Sequence, residues 1–463
     1  MLQRSGLTLR LSALVAFETA LIFLAIVAGA WVRLGEHARV LLLVEDGLFK
    51  AGFITVVCQL SLYYADLYDW RTIADRRELF VRLVQALGVT SVILAATYFW
   101  FPGLMLGRGV FAIAVGLVLV LVIGWRLLFE ILTRAVGPRE RLLLVGTGAG
   151  AVDLARELHE NRQMTGVEIV GFVDPDPART GASVINPGVI GTIADIPSIV
   201  ASRKVDRVVV SLGDARGKLP MEQLLDMKLN GNVSFDYLAS VYEEYTGKIA
   251  VENLRPSWLI FSDGFRKSAL LVSAKRAIDV SAAGIGLALA APVMLVVAIL
   301  IKLSSSGPVF YHQARVGQHG RIFTVHKFRS MVADAEARTG AIWAQRGDAR
   351  ITGVGQFLRR TRLDELPQLW NILRGDMSLV GPRPERPEFV RSLTEQIAFY
   401  GQRHVVRPGL TGWAQVRYTY GASVEDAMQK LQYDLFYIKN LSLALDLFII
   451  FATVKTVLQR KGA

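Results

Sequence analysis

KRAIDVSAAGIGLALAAPVMLVVAILIKL, residues 275–303, is the stretch on which the architecture turns. From Ala277 to Leu303 it is apolar and exceeds the ~20 residues a membrane helix needs. Ala291-Pro292 lies in its middle, where proline removes a helix hydrogen bond and breaks or kinks the helix. Upstream are four further apolar stretches, about Leu11–Val32, Leu48–Tyr68, Leu79–Phe101 and Val110–Leu132. One set of their loops carries Arg4, Arg10, Arg71, Arg76, Arg77, Arg82, Arg134, Arg139 and Arg141, and the alternate set Arg33, Arg39 and Arg108. Positive charge marks the cytoplasmic side, so the N-terminus and everything after Leu132 are expected there. A fifth full crossing would put the basic, polar C-terminal region outside the cell. A helix that enters, bends at Pro292 and returns keeps it inside, with Asp279 and Lys302 at the polar interface.

The whole sequence agrees with a membrane protein. Of 463 residues, 52% are hydrophobic and 20% charged, against about 25% charged in ordinary soluble chains. The length suggests about three folding units. A net charge of +12 suits anionic lipid or a phosphate-rich substrate. The single cysteine, Cys58, excludes an intramolecular disulfide and a thiolate-clustered zinc site, and the six histidines have no ligand spacing. The N-terminal Arg4 and Arg10 before an apolar run ending Ala28-Gly29-Ala30 resemble a signal peptide. The run is long for one and three more follow, so a retained membrane segment is expected.

Residues 138–270 read as a cytoplasmic domain. Strands at Arg141–Val145, Val167–Val173 and Val205–Leu212 alternate with helices near Val152–Asn161, Ile196–Ser202 and Met221–Leu229, the pattern of a parallel α/β sheet. Gly146-Thr147-Gly148-Ala149-Gly150-Ala151 fits Gly-x-Gly-x-x-Ala, and Gly146 and Gly148 are candidates for a nucleotide-phosphate loop at a helix N-terminus. The acidic ribose ligand expected about 20 residues on is displaced. Asp174 is 28 residues past Gly146, and tight strand–helix packing accounts for the glycines equally well.

Chemistry concentrates between Pro308 and Gly412. Arg315, Lys327-Phe328-Arg329-Ser330-Met331, Arg359-Arg360-Thr361-Arg362, Gly381-Pro382-Arg383-Pro384 and Arg407-Pro408-Gly409 surround one acidic pair, Asp364-Glu365. Guanidinium forks bind phosphate oxygens bidentately. The acids just before Leu366-Pro367 also fit a helix start. The rival pair Glu425-Asp426 has no arginine-rich approach. A carboxylate attacks phosphorus only if phosphate charge is masked by cations or a metal. Mg²⁺ takes one or two carboxylates plus substrate phosphates. One acid as nucleophile beside one metal ligand meets both demands. At the C-terminus, Ser442, Asp446, Thr453 and Thr456 form a polar stripe on Leu441–Leu458, expected to be an interfacial amphipathic helix.

The Ala291-Pro292 break, KFRSM (327–331), LDELPQLWN (363–371), RGDMSLVGPRP (374–384) and RPGLTGWAQV (407–416) are long, ordered matches. On them the chain resembles the bacterial sugar transferases, the large monotopic phosphoglycosyl transferases. The resemblance covers essentially the whole chain. It implies a membrane protein, α plus α/β. Four transmembrane helices (1–137) and a Rossmann-like domain (138–270) would precede a catalytic domain (271–463) with a re-entrant helix (275–303). It further implies Asp364 as nucleophile and Glu365 as Mg²⁺ ligand, with Lys327, Arg329, Arg362, Arg383 and Arg407 contacting phosphate or donor. The implied reaction moves a hexose 1-phosphate from a UDP-sugar to undecaprenyl phosphate and releases UMP. It would initiate exopolysaccharide or other glycoconjugate assembly at the cytoplasmic face of the bacterial inner membrane. A homodimer is compatible with the resemblance. Arg417-Tyr418 stands where many members have Asn-Gly, which leaves sugar-side contacts open.

Direct displacement, with Asp364 only a base or a second metal ligand, and a catalytically silent membrane scaffold are the alternatives. A membrane-bound nucleotide-sugar dehydratase needs Tyr-x-x-x-Lys, and no tyrosine here has lysine four residues on. Nucleic-acid binding would explain the charge but not the apolar stretches.

Overall fold

The computed structural model describes residues 6–68, 76–136, 140–160, 167–211, 220–230, 233–251, 262–332, 348, 350–418, 421 and 423–458. The basic positions Arg4, Arg71 and Arg139 lie outside these described residues. By internal contacts the chain divides into Met1–Asp236 and Tyr237–Ala463.

The first unit opens with α1 (Gly6–Leu34), short α2 (Ala38–Leu43), α3 (Gly47–Tyr64), α4 (Arg76–Trp100) and α5 (Arg108–Val136). Four helical segments here, Ser12–Leu43, Gly47–Tyr64, Leu79–Trp100 and Arg108–Phe129, are long and apolar enough to cross a membrane. Their inner faces share one core that includes Ile22, Ile54, Leu83 and Val118. Leu24, Val32, Val92 and Val120 on the outer faces are exposed. Helices apolar on both faces belong in lipid, so the unit is membrane-associated.

Inside that apolar core sits a polar lock that the hydropathy pattern hid. Glu18 on α1 is fully buried and takes a bidentate fork from Arg126 on α5, Nε–Oε1 2.6 Å and Nη2–Oε2 2.9 Å. Tyr68 donates its hydroxyl to Glu18 (2.6 Å), Gln59 donates to Tyr68 (2.6 Å), and Arg126 also donates to the Leu67 carbonyl (2.6 Å). Each charge is thus balanced or hydrogen-bonded, the condition under which a buried pair is tolerated.

Still in this unit, β1 (Glu140–Val145), α6 (Ala149–Glu160), β2 (Val167–Asp174), β3 (Val189–Thr192), α7 (Ile196–Arg203), β4 (Arg207–Val210), α8 (Met221–Asn230) and β5 (Ser234–Tyr237) follow. They build a five-stranded sheet of order β3-β2-β1-β4-β5. The β1–β2, β1–β4 and β2–β3 pairs are parallel, as the alternation predicts. Residues such as Leu142, Leu143 and Leu144 are fully buried, the continuous apolar run of a sheet covered on both faces. The order reverses beside β1, a crevice where Rossmann-like sheets bind ligands. Short β3 and β5 were not legible in the sequence.

The second unit begins with α9 (Leu238–Thr246). Its Glu243 pairs with Lys439 at 2.6 Å, and the Ile249 and Val251 that follow join the C-terminal core. Next comes α10 (Ala269–Ser304), then the antiparallel ribbon β6 (Phe310–Val316) and β7 (Ile322–Phe328), α11 (Gly353–Thr361), a 3₁₀ turn at Leu363–Glu365, and α12 (Gln368–Arg374). The unit ends with β8 (Ser378–Val380), α13 (Pro387–Gln396), a 3₁₀ segment at Tyr400–Val405, β9 (Gly409–Thr411), α14 (Trp413–Arg417), α15 (Val424–Asn440) and α16 (Leu443–Leu458).

Helix α10 is the fifth segment apolar enough to cross a membrane. It runs as one helix with Pro292 inside it. Its buried residues are Asp279, Ala283, Val297 and Ile301, all on one side at 3.6 residues per turn. They fall at the two ends. Between them Leu289, Val293, Leu295 and Val296 are exposed. Ala283 packs with Leu369, Ile372 and Met377, and Val297 and Ile301 pack with Phe328 and Leu358. Asp279, expected at the polar interface, is instead buried and accepts the Leu379 amide (3.0 Å).

Helix α16 packs by the side that carries its polar stripe. Its polar stripe faces protein rather than water: Asp446 is buried against Lys275 (2.6 Å) and Tyr437 (2.8 Å), and Thr453 meets Thr411 (2.6 Å). Leu447, Phe448, Phe451 and Val454 form the exposed side. Buried Leu445 and Ile449 share the inner side with that stripe, so the helix is apolar on both sides.

The Glu18–Arg126 lock generates a stability prediction. Arg126→Ala strands a buried carboxylate and is expected to destabilise the first unit by about 3–5 kcal/mol. The paired Glu18→Leu/Arg126→Met variant should recover most of the loss. Thermal unfolding in detergent reads both; an Arg126→Ala protein that melts with the unaltered one would contradict the lock.

Candidate active site

The acidic pair sits where two helices are forced apart. Helix α11 starts at Thr352, whose hydroxyl accepts the Gly355 amide (2.9 Å). Gly355 must be glycine, because a Cβ there would fall 1.9 Å from the Ser330 carbonyl oxygen. The helix ends at Arg362, held in the left-handed region at φ 58°. That reversal starts the Leu363–Glu365 turn and points both acids inward, each 8% exposed. Neither acts as a helix cap. Position 367 precedes α12 without any side-chain cap bond. The rival Asp426, by contrast, forms a capping box with Ser423.

Glu365 is the electrostatic hub. Its Oε1 receives Arg383 Nη2 at 2.6 Å, Lys327 Nζ at 3.2 Å and Arg362 Nη1 at 3.9 Å. Burial alone would raise its carboxyl, but Arg383, Lys327 and Arg362 outweigh burial and hold it well below the usual range. Asp364 is different. Its Oδ1 is buried with no hydrogen-bond partner among the described residues. Burial, then the neighbouring Glu365 charge, push its carboxyl up to about 6, against the pull of Lys327, Arg359 and Arg362. Burial lowers the Lys327 ammonium, with Glu365 opposing.

Two neighbouring acids therefore have separate roles available: one permanently charged and neutralised by cations, one more basic and unencumbered. The contacts of Arg383, Lys327 and Arg362 converge on Glu365 Oε1, and Asp364 Oδ1 has no hydrogen-bond partner among the described residues. No group of three or more His, Cys, Asp or Glu side chains gathers among the described residues, so a divalent cation at this pair would fit only as Mg²⁺ does, on one or two carboxylates plus substrate phosphates.

The other positions singled out from sequence divide into two groups. Lys327 reaches the pair from β7, a strand pinned to α12 by fully buried Asn371, which donates to the Thr324 carbonyl (2.7 Å) and accepts the His326 amide (3.1 Å). Arg362 and Arg383 complete the ring. Arg329 points elsewhere: it donates to the Ser306 carbonyl (2.6 Å) and to Ser305 (2.8 Å), where α10 ends. A guanidinium there satisfies carbonyls that a helix C-terminus leaves open. Arg407 lines a shallow groove along the first turns of α10 with Arg276, Ser273 and Ser281. Arg359 donates to the Ser330 hydroxyl (2.9 Å). Arg417, where the resemblance departs, lies over the Trp413 ring at 4.5 Å.

The motif glycines meet backbone to backbone. β8 pairs in parallel with β9, the Gly381 amide donates to Thr411 (2.9 Å), and the Gly409 amide donates to Pro382 (2.9 Å). A Cβ at Gly381, Gly409 or Gly412 would lie within 2.4 Å of backbone atoms. The GPRP and RPG segments are thus two sides of one junction, which carries Arg383 to Glu365.

In the first unit, the parallel sheet brings Asp174 to the glycine loop despite the long spacing. Asp174 is the last residue of β2 and accepts from the Thr147 hydroxyl, to which Arg179 also donates (2.7 Å). Gly146, at φ 101°, turns the chain out of β1 in a conformation that favours glycine.

Known proteins place this chain. The description "Bacterial sugar transferase" matches residues 270–460, and "CoA-binding domain" matches residues 64–219. The chain is 42% identical over 271 residues to UDP-N-acetylgalactosamine-undecaprenyl-phosphate N-acetylgalactosaminephosphotransferase of Aeromonas hydrophila, covering 58% of this chain and 63% of that protein. It is 33% identical over 329 residues to undecaprenyl-phosphate glucose phosphotransferase of Komagataeibacter xylinus, covering 70% and 60%. It is 36% identical over 336 residues to UDP-glucose:undecaprenyl-phosphate glucose-1-phosphate transferase of Xanthomonas campestris pv. campestris, covering 70% and 68%. The chain thus spans 60% to 63% of the length of the first two relatives. With the acidic pair, its cation ring and the paired glycine motifs in one unit, the chain belongs to the bacterial sugar transferase family.

Proposed function

We propose that this protein transfers a hexose 1-phosphate from a UDP-sugar to undecaprenyl phosphate in two steps. The carrying observation is the contrast within the acidic pair: Glu365 is held by three cations, while Asp364 Oδ1 has no hydrogen-bond partner among the described residues. In the first step an Asp364 oxygen attacks the phosphorus that bears the sugar. The bond to the bridging oxygen breaks, and UMP leaves with both bonding electrons. In the second step an oxygen of the lipid phosphate attacks the same phosphorus and returns Asp364 as a free carboxylate. Lys327, Arg362 and Arg383 neutralise the diphosphate as they now neutralise Glu365. Glu365 would hold Mg²⁺ together with substrate phosphate oxygens, and the ion would supply further charge neutralisation there. Direct displacement would give Asp364 only the work of a base or a second metal ligand, and a covalent sugar phosphate on Asp364 separates it from the two-step route. A silent scaffold would have no need of the cation ring.

The exposed middle of α10 between two buried ends supports a helix that enters and leaves the membrane on one side, with Pro292 at its apex. The outward apolar face of α16 is suited to the same surface. Such seating lets a soluble donor and a lipid acceptor share one site. The side with more arginine in the loops of the first unit supports a cytoplasmic location for that site, on a bacterial inner membrane. Initiation of exopolysaccharide or another glycoconjugate follows from that chemistry. Names of the relatives differ in their sugar, N-acetylgalactosamine in one and glucose in two, so the donor is to be found by assay.

A second reading concerns the first unit's sheet. Asp174 at the end of β2, beside Gly146 and Gly148, supports binding of a ribonucleotide, with its phosphate at the α6 N-terminus and its ribose at the carboxylate. Nucleotide-dependent protection of this segment from hydrogen exchange is expected, and is lost in Gly146→Val. Equal exchange with and without any nucleotide would discard the reading.

UMP release in detergent, with Mg²⁺, undecaprenyl phosphate and a panel of UDP-sugars, tests the principal proposal. Release should require lipid and metal and fall at least about a thousandfold in Asp364→Asn. Only ionised Asp364 attacks, so the rate should rise with pH through about 6 and level off above it. An acid limb near 4, or an active Asp364→Asn, would contradict the assignment.

A further inference from the structure

One backbone contact away from the cation ring lies a buried ion pair, Arg403 with Asp434, to which the proposed reaction assigns no part. Asp434 on α15 is 1% exposed and Arg403 in the Tyr400–Val405 segment is 5% exposed. Arg403 donates to Asp434 Oδ2 through Nε (3.1 Å) and Nη2 (2.7 Å), and through Nη1 to the Tyr400 hydroxyl (2.7 Å). Its Nη2 also donates to the backbone carbonyl of Arg383 (3.0 Å). Arg383 is the residue whose side chain lies 2.6 Å from Glu365.

The setting explains why such a contact is needed. Pro382 and Pro384 flank Arg383 and have no amide to donate, so the loop is fixed mainly through its carbonyls. Tyr437 donates to Val380 O (3.0 Å), the Gly409 amide to Pro382 O (2.9 Å), Arg315 to Pro384 O (3.2 Å), and the Val316 amide to Glu385 O (2.9 Å). Arg383 O is held by Arg403. A buried arginine and aspartate cost desolvation, and an apolar pair of similar volume is often as stable. Stability alone therefore does not account for a charged pair here, whereas a charge-assisted bond to one chosen carbonyl does.

We propose that Arg403 and Asp434 are positioning residues: Asp434 fixes the Arg403 guanidinium, which fixes the Arg383 backbone and so aims the Arg383 side chain at Glu365 and at the donor phosphates. This inference rests on the transferase reading of the Asp364-Glu365 site. Misplacement of a catalytic contact by about 1 Å can lower rate up to a hundredfold.

The test is a mutant cycle on the full chain. Arg403→Met/Asp434→Leu replaces the pair by apolar residues of similar size and keeps a packed core. Asp434→Asn is the milder companion, and thermal unfolding verifies that each variant is folded. In the otherwise unaltered protein the double replacement should lower kcat about tenfold or more, with KM for undecaprenyl phosphate little changed. In an Arg383→Ala background the same replacement should change kcat less than about twofold, because the group it aims is gone. Equal losses in both backgrounds would overturn the proposal and leave the pair a structural element. The crystal structure of the double variant decides the question without activity: Arg383 withdrawn from Glu365 supports the proposal, and Arg383 still in contact overturns it. No turnover from the unaltered protein would count against the transferase reading alone.

Discussion

The contact between Arg383 Nη2 and Glu365 Oε1, at 2.6 Å, is the interaction on which the candidate site depends. Two adjacent buried carboxylates repel, and in a low-dielectric site they cannot both stay ionised unaided. Arg383, with Lys327 and Arg362, takes Glu365 out of that conflict and leaves Asp364 with a raised carboxyl at about 6 and an unshared oxygen. Much of the surrounding fold brings these three cations together. Asn371 pins β7, which carries Lys327. The left-handed turn at Arg362 separates α11 from α12. The β8–β9 junction delivers Arg383.

Membrane seating and chemistry meet in α10. Its ends are bolted to the same unit that holds the acids. Arg276 donates to the Ile372 (2.6 Å) and Leu373 (2.8 Å) carbonyls at the end of α12, Asp279 binds β8, and Arg329 closes the other end at Ser305 and Ser306. A helix anchored at both ends but apolar and exposed between them has the form that the proposed re-entrant seating needs. On that proposal, transfer between a water-soluble donor and a lipid acceptor needs no movement of the acidic pair.

The parts of this organisation legible in the sequence were those carried by local pattern. Apolar stretches of membrane length gave the helices, and strand–helix alternation gave the parallel sheet. Arginine density around Asp364-Glu365 marked the candidate site, whose cations the structure brings to Glu365. What escaped depends on contacts between distant segments. Glu18 and Arg126 are 108 positions apart, and each looks like a blemish in an apolar run. Arg329 and Arg407 belong to the same motif-like stretches as Lys327 and Arg383, yet side-chain direction sends one to a helix end and the other to a groove along α10. The polar stripe of α16 has the right period for either orientation, and only Lys275 and Tyr437 decide that it faces inward. Asp174 stood too far along the chain for the usual spacing, but strand β2 ends beside the loop whatever the length of the connection. Arg403 and Asp434 left no signal in spacing or composition.

The most direct measurement is peptide mass spectrometry of the protein quenched in acid after incubation with a UDP-sugar and Mg²⁺, without lipid acceptor. The account predicts a sugar phosphate on the peptide containing Asp364, absent from Asp364→Asn and discharged when undecaprenyl phosphate is added before the quench. UMP release that proceeds only with lipid present, with no adduct on that peptide at any time, would contradict it.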